Sequence, residues 1–311
     1  MAELKQLTIA VTTYNSEKYI KFYDEFLKTW SFGKLEIIFV DDASTDRTQQ
    51  EIQKLENKYL NSHIIKHIFH AENTGISKSV NDALEVATGD FFLQNDGDDF
   101  LLVDGIREML DIMSNTDFDM VQAGVQTIEN NQLYQKNVTE FNNIRSDTLL
   151  KKILIGENVI FQPGSRMIRL SSVQRLIPSG KIYPSKEGQN WQILIPLCLH
   201  GKVKYIKNSS VSITVRSDSH SRSERSLNEL VERTHEFLNI WINSVVDLSN
   251  HERRIMVQIM NDMLLNLAYR FGNRHLAVTS FVRGSKSFKS SVKLLITLFG
   301  LLTEADVIPE V

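Results

Sequence analysis

The residues best suited to chemistry are Asp96 and Asp98, near the end of the stretch Gly89-Asp90-Phe91-Phe92-Leu93-Gln94-Asn95-Asp96-Gly97-Asp98-Asp99. Phe91, Phe92 and Leu93 are bulky enough for a strand, and Gly97 allows a sharp turn just past it, so Asp96 and Asp98 are presented together at a sheet edge. Two hard oxygen donors facing one point suit Mg²⁺ or Mn²⁺, which prefer carboxylate and water ligands and commonly bridge to substrate phosphates. An acidic turn that merely ends a strand would look the same in isolation, because Asp and Gly are ordinary turn residues. The surrounding elements have to decide.

From Leu7 the chain alternates short β-rich runs with longer amphipathic segments. Residues 7–11, 35–40, 63–69 and 91–93 read as strands, separated by helices near 17–28, 47–58 and 76–87. The near-continuous apolar character of Ile37, Ile38, Phe39 and Val40 marks a strand buried on both faces. Repeated βαβ units of this kind predict an α/β fold with a mostly parallel, doubly wound sheet. Ligands bind such sheets outside the carboxyl ends of the strands.

The residues that follow each strand are therefore the ones to inspect. Thr12-Thr13-Tyr14-Asn15 follows the first, and Asp41-Asp42-Ala43-Ser44-Thr45-Asp46 the second. Ser44 or Thr45 can cap the next helix; Asp41 and Asp42 are not needed for that, and a carboxylate there can accept from a base imide N–H. After the third strand, the run from Asn73 to Asn81 can start a helix near Gly75 and direct backbone N–H groups and Lys78 toward an anionic ligand. A plain helix start fits the same residues. No Gly-x-Gly-x-x-Gly follows the first strand and no P-loop string occurs, which argues against a dinucleotide dehydrogenase and a P-loop NTPase.

Composition narrows the class further. With 311 residues, 42% of them apolar and few Gly or Pro, the chain is expected to fold as about two domains' worth of globular protein. A formal charge of −3 and the lack of a basic segment interleaved with aromatics make nucleic acid an unexpected partner. The lone Cys198 excludes an intrachain disulfide and reads as a buried thiol. Neither a signal peptide nor a membrane-spanning run is legible, so a cytoplasmic location is expected and the sequons at Asn137 and Asn208 read as chance.

Four motifs in order now resemble one family. Thr12-Thr13-Tyr14-Asn15, Val40 to Asp46, Asn73-Thr74-Gly75 with Asn81, and Ala87-Thr88-Gly89-Asp90 leading into Asp96-Gly97-Asp98-Asp99 are similar to those of family 2 inverting glycosyltransferases. The resemblance implies a GT-A, Rossmann-like fold that binds a nucleotide-sugar, with a UDP-sugar as the expected donor, Mn²⁺ or Mg²⁺ as cofactor, and a saccharide or lipid-linked glycan as acceptor in bacterial surface polysaccharide synthesis. Carried over by position, it places Thr12, Tyr14 and Asp42 around the base, Asn73 and Lys78 on the donor, and Asp96 and Asp98 at the diphosphate and metal, with Asp98 the expected direct ligand and the ribose or sugar an alternative partner for Asp96. His220, after the final strand, matches a position that can complete the metal site, within a polar segment that reads as a lid. Val80 departs from the family, where many relatives carry Arg before the Asn; Lys78 is the expected substitute.

The acceptor side departs further. Relatives usually carry Glu-Asp before the helix that ends at Gly201, and that pair falls here on Gln189-Asn190, neither of which can act as a base. Glu187 is the nearest carboxylate and becomes the candidate base, with Gln189 and Asn190 holding acceptor hydroxyls and Trp191 offering an apolar face to a sugar. A charge near a helix start is the bland reading of Glu187. Arg166 and Arg169 read as solvated strand residues, and residues 202–206 and 211–215 as two closing strands. The expected organisation is a donor half at 1–125, an acceptor half of the same domain at 126–222, and a helical region at 223–311. The last run, 292–302, is too short to span a bilayer; it is expected to dock as a terminal helix, on this chain or in a homo-oligomer, or to lie at a membrane surface as a peripheral contact. A non-catalytic nucleotide-sugar-binding or scaffold protein and a nucleotidyltransferase remain as alternatives.

Overall fold

The computed structural model describes residues 6–129, 132–136, 145–214 and 225–299. In the first third β1 (Leu7–Thr13), α1 (Ile20–Thr29), β2 (Glu36–Asp41), α2 (Thr48–Tyr59), β3 (Ile64–Phe69), α3 (Ile76–Val86) and β4 (Phe91–Asp96) alternate as expected. The short β5 (Phe100–Leu101) and α4 (Val103–Asn115) follow. Next come β6 (Met120–Glu129), β7 (Gln132–Lys136), α5 (Ser146–Ile155), β8 (Arg166–Arg169), α6 (Leu170–Leu176), α7 (Gln189–His200) and β9 (Val203–Thr214). Four helices end the described chain: α8 (Leu227–Asn243), α9 (Asn250–Phe271), α10 (Arg274–Arg283) and α11 (Phe288–Phe299).

One sheet runs β3-β2-β1-β4-β8-β6-β9-β5, with β7 paired to β6. Pairing is parallel across β3-β2-β1-β4 and mixed beyond it, because β8 inserts antiparallel between β4 and β6. Residue 126, where the acceptor half was expected to begin, lies inside β6, so no break in the sheet marks that position. The two expected closing strands are a single one: β9 runs through residues 207–210 by shifting register opposite Gly124.

The alternation along each parallel strand explains the layers. Ile9, Val11, Ile37, Phe39, Phe91 and Leu93 enter one core with α1, α2 and α4; Ala10, Ile38, Val40 and Phe92 enter the other with α3, α5, α6 and α7. Every residue of β2 is buried, as its unbroken apolar run requires. Full burial of a side chain such as Phe39 contributes roughly 1.5–3 kcal/mol. The second core continues into α8 and α9 through Phe237, Ile240, Trp241, Ile255 and Met256, so the helical region shares the core of the sheet. Glu36 is fully buried at the far end of the strands, where it accepts from Thr8 Oγ1 at 2.5 Å, Lys66 Nζ at 2.7 Å and Thr88 N at 2.8 Å. That buried charge is tolerable because its oxygens are met.

Candidate functional site

Register assembles the site. Thr12 pairs with Asp96 and Thr13 with Asp41, so the parallel strands β1, β2 and β4 stop level with one another and gather their last residues at one edge. A cleft of about 730 Å³ opens there, lined by Thr12, Tyr14, Asp42, Asn73, Asp96 and Asp98, all singled out from sequence, and also by Lys18, Gly75 and Ser79. Tyr14 is 48% exposed over it, a free aromatic face on which a base can stack.

The loop after β4 is held from below. Asn95, fully buried, donates through Nδ2 to Tyr23 Oη at 2.8 Å and to the carbonyls of Asp96 and Asp99 at 3.0 Å. Gly97 N donates to Thr12 O at 2.8 Å, and a Cβ on Gly97 would lie 2.9 Å from that same oxygen. Glycine is required for this close approach to β1, a contact that only the tertiary structure reveals. Asn95 and Tyr23 were missed from sequence because nothing in their spacing ties α1 to the acidic loop.

Three carboxylates in so small a space oppose one another. Burial, and then the neighbouring Asp98, push the Asp96 carboxyl up to about 6. Burial, and then Asp96 and Asp98, push Asp99 higher still, and burial raises Asp98 while nearby Lys18 draws it back. Among the described residues no group of three or more His, Cys, Asp or Glu is arranged to hold a metal ion by itself. Two mutually repelling carboxylate oxygen donors at an open cleft still fit Mg²⁺ or Mn²⁺, which bind through one or two carboxylates plus water and phosphate oxygens. His220 lies outside the described residues, as does the segment read as a lid.

The raised carboxyls give a stability prediction. A carboxyl whose folded pKa is raised binds more protons folded than unfolded, so the stability it allows is greatest at low pH and is lost as pH rises from the ordinary value near ~4 through the raised one. Asp24, depressed to about 2, and Glu36, Asp42, Asp46 and Asp119, also depressed, act only below that window. His63, depressed by burial, pulls the other way inside it, which makes a comparison with a variant cleaner than a single profile. Asp99→Asn should raise the melting temperature of the cation-free protein at about pH 8 and raise it much less at about pH 5. A variant less stable than the wild type at both pH values would show that Asp99 is not under this repulsion.

Asp42 is 6% exposed and organises its neighbours. Its Oδ1 accepts from His70 Nδ1 at 2.8 Å, Thr74 N at 2.8 Å and Thr74 Oγ1 at 3.0 Å, while Oδ2 accepts from Gly75 N at 2.8 Å. Burial by itself raises this carboxyl, but those bonds outweigh it and hold it below its ordinary value. Asp42 therefore clamps the Asn73–Gly75 loop, and Oδ2, with one protein donor, keeps acceptor capacity toward the cleft. His70 Nε2 continues the chain to Asp82 Oδ2 at 2.8 Å.

Lys78 is a correction. Its Nζ lies 2.6 Å from Asp82 Oδ2, one helical turn along α3, and it does not line the cleft. Pairing at i,i+4 holds it on the outer helix surface. Lys18, one residue into the turn that precedes α1, is the cation that the cleft receives instead.

The residues expected to face an acceptor sit at the start of α7. Asn81 ties α3 to this region by bonding both the N and the O of Ile182 at 2.8 Å, and Gln192 Nε2 bonds Tyr183 O at 2.9 Å. A Cβ on Gly75 would lie 3.7 Å from Lys186 Cγ, which puts the segment before α7 beside the Asn73–Gly75 loop. Gly188, with φ of 62°, is the left-handed residue before the helix, and a Cβ there would press on Ile240 and Trp191 at 3.0 Å. Glu187 does not line the cleft; its Oε2 accepts from Arg233 Nε at 2.9 Å, with the Nη2 contact at 2.8 Å. Gln189 is partly exposed on the first turn of α7.

Two further expectations are corrected here. Trp191 is committed to packing: its ring meets Phe161, Phe237 and Trp241 edge-on, and Nε1 donates to Ile153 O at 3.2 Å, so it offers no face to a sugar. Arg166 is not solvated but 3% exposed, because β8 lies in the middle of the sheet. Its guanidinium donates to Ile160 O at 3.2 Å, Phe161 O at 3.0 Å and Asn190 Oδ1 at 3.1 Å, and its charge is felt by Asp96. Burial lowers Arg166 to about 10, which leaves it cationic at neutral pH. Asn190 thus has its amide oxygen occupied and its Nδ2 available. Arg169, over the Phe91 ring, closes the end of α4 by donating to Phe118, Met113 and Thr116 carbonyls.

Comparison with known proteins agrees with this geometry. Over 107 residues the chain is 36% identical to the poly(ribitol-phosphate) beta-N-acetylglucosaminyltransferase TarS of Staphylococcus aureus (strain Mu50), covering 34% of this chain and 18% of that one. EpsH of Bacillus subtilis (strain 168) is 31% identical over 111 residues, and only 30% of its length is covered. The chain thus spans less than a third of the length of these curated relatives. Among solved structures, residues 1–349 of S. aureus TarS in complex with UDP-GlcNAc superpose with a TM-score of 0.62 at 18% identity, covering 94% of this chain and 89% of that one. The mannosyltransferase PcManGT of Pyrobaculum calidifontis, in complex with GDP-Man and Mn²⁺, gives 0.55 at 13% identity over 98% and 82% of the two chains. At such identities the likeness establishes the fold, which is GT-A. The model of glycosyl transferase family 2 matches residues 8–177, more than half of the sequence, and the chain belongs to that family.

Proposed function

We propose that this glycosyltransferase moves a sugar from a UDP-sugar to a hydroxyl of a glycan or lipid-linked saccharide, with inversion at the anomeric carbon, in the assembly of a bacterial surface polymer. The observation that carries the reading is the convergence of Thr12, Asp42 and Asp96 on one cleft beside Tyr14 and Asp98. TarS, described as acting on poly(ribitol-phosphate) and solved with UDP-GlcNAc, supports the choice of UDP and of a surface polymer. PcManGT, solved with Mn²⁺, supports a divalent cation.

In this reading Tyr14 stacks on the base, Asp42 Oδ2 accepts its imide N–H, and Lys18, which lines the cleft, approaches the diphosphate. Mn²⁺ or Mg²⁺ held by Asp98 with Asp96 would neutralise charge on the departing diphosphate. Glu187 removes the acceptor proton, which requires its carboxylate to exchange Arg233 for the hydroxyl, while Gln189 and Asn190 Nδ2 orient the acceptor. The donor-facing residues fall within 1–125 and the acceptor-facing ones within 126–222. The Glu187–Arg233 pair also favours a second reading, a protein that binds nucleotide-sugar without turnover.

A panel of nucleotide-sugars incubated with Mn²⁺ and saccharide acceptors separates these readings. Release of nucleoside diphosphate supports transfer, release of pyrophosphate would assign nucleotidyl transfer, and tight binding with neither product would assign the scaffold. Within the transfer reading, Asp42→Ala should raise the donor KM by about tenfold or more and change kcat far less, since it removes binding common to ground and transition states. Unaltered affinity for free UDP in that variant would remove Asp42 from the base pocket.

A further inference from the structure

The end of the described chain has a charge pattern unlike the rest. From Met263 to Thr303 the sequence holds no Asp or Glu and six cations, Arg270, Arg274, Arg283, Lys286, Lys289 and Lys293, in a protein of net charge −3. α10 fills the middle of this stretch and lies on α9 by one face, where Ala277 and Ser280 are buried and Leu276 and Phe281 pack against Leu265 and Ala268. The other face is open along its length at Arg274, His275, Val278, Thr279, Val282 and Arg283. Their spacing traces a single stripe on a helix.

That stripe is not an ordinary solvated face. Val282 is 66% exposed and Val278 44%, with Phe271 at 42% just ahead of the helix. Arginines stand at both ends of this apolar ridge, and exposed Lys286 and Lys289 follow on the turn into α11. Apolar side chains that can enter the headgroup boundary, flanked by cations with no neighbouring acid in sequence, are matched to anionic lipid. α11, by contrast, is engaged: Leu294 packs in the cluster with Leu265 and Ala277, and Ser290 and Thr297 are buried. The open face is therefore that of α10; residues 300–302 of the run expected to reach a membrane lie outside the described residues.

We propose that the outer face of α10, with Phe271 before it and Lys286 and Lys289 after it, docks the protein on an anionic lipid surface. A second copy of this chain fits the face less well, because a two-fold contact would bring like cations together. The contact is peripheral in kind, since no helix among the described residues is long and apolar enough to cross a membrane. It does not depend on the assignment of the donor or the acceptor.

The test mixes the full chain with phosphatidylcholine vesicles made with and without phosphatidylglycerol and measures the sedimented fraction. Binding is expected only with phosphatidylglycerol and should fall as salt shortens the Debye length from about 10 Å at 0.1 M to about 3 Å at 1 M. The triple variant R274Q/R283Q/K289Q should lose about 100-fold in partitioning, near fivefold per cation. V278S/V282S should weaken it without changing its salt dependence. All substituted side chains are exposed, so unchanged melting temperatures certify the fold. Equal binding to both vesicles, no binding to either, or full binding by the triple variant would overturn the proposal. So would preference for soluble polyphosphate over vesicles, or a dimer that V278S/V282S dissociates while vesicle binding stays absent.

Discussion

Asp98→Asn is expected to reduce metal-supported turnover by about 10³-fold or more, because it removes the charged ligand from the position where charge develops on the leaving diphosphate. The fold should survive. Asp98 lies partly exposed on an edge loop whose backbone is pinned by Asn95, Tyr23 and Thr12. Removing one of three opposing charges relieves repulsion, so the melting temperature should hold or rise. Turnover at saturating Mn²⁺ and a thermal melt of the same preparation check both halves. Wild-type activity that persists in full in excess chelator would strip Asp98 of this role.

Glu187→Gln carries the second large effect. Glutamine keeps the size of the side chain and an acceptor for Arg233 but cannot take a proton, so transfer should drop by about 10²-fold or more while donor binding is retained. Asn190→Ala should mainly impair acceptor use, and it also leaves one N–H of buried Arg166 without a partner, at a cost of about 1–3 kcal/mol. Single-turnover transfer and UDP affinity, measured on both variants, give distinct patterns. Near wild-type transfer in Glu187→Gln with none in Asn190→Ala would keep the acceptor site at α7 and move the base elsewhere. Transfer intact in both would remove the acceptor site from this helix.

The donor edge was legible because its signals are local. Strand and loop alternate in sequence, and parallel register does the rest: residues at the ends of β1 and β4 and just past β2 must meet, as Thr12, Asp96 and Asp42 do. Lys78 was misplaced because a helix start does not reveal which way a long side chain turns, and Asp82 four residues on captured it. The acceptor side was less legible for a tertiary reason. β8 has four residues and looks like a polar edge, yet it sits between β4 and β6, which buries Arg166 and converts it from a surface charge to the partner of Asn190. Trp191 reads as a sugar platform until α8 arrives from residues 227–243 and covers it with Phe237 and Trp241. The ion pair that holds Glu187 likewise comes from 46 residues away, beyond any periodic signal.

The central claim is that the loop after β4 binds a cation together with a nucleoside diphosphate, and calorimetric titration of UDP and of uridine, each with Mn²⁺ and with chelator, tests it most directly. Uridine lacks the diphosphate through which the proposed cation would be held, so its affinity should be the same in both conditions. The account predicts that Mn²⁺ tightens UDP binding by about tenfold or more, equivalent to about 1.4 kcal/mol, and leaves uridine unchanged. UDP binding that is equally tight in chelator would contradict it.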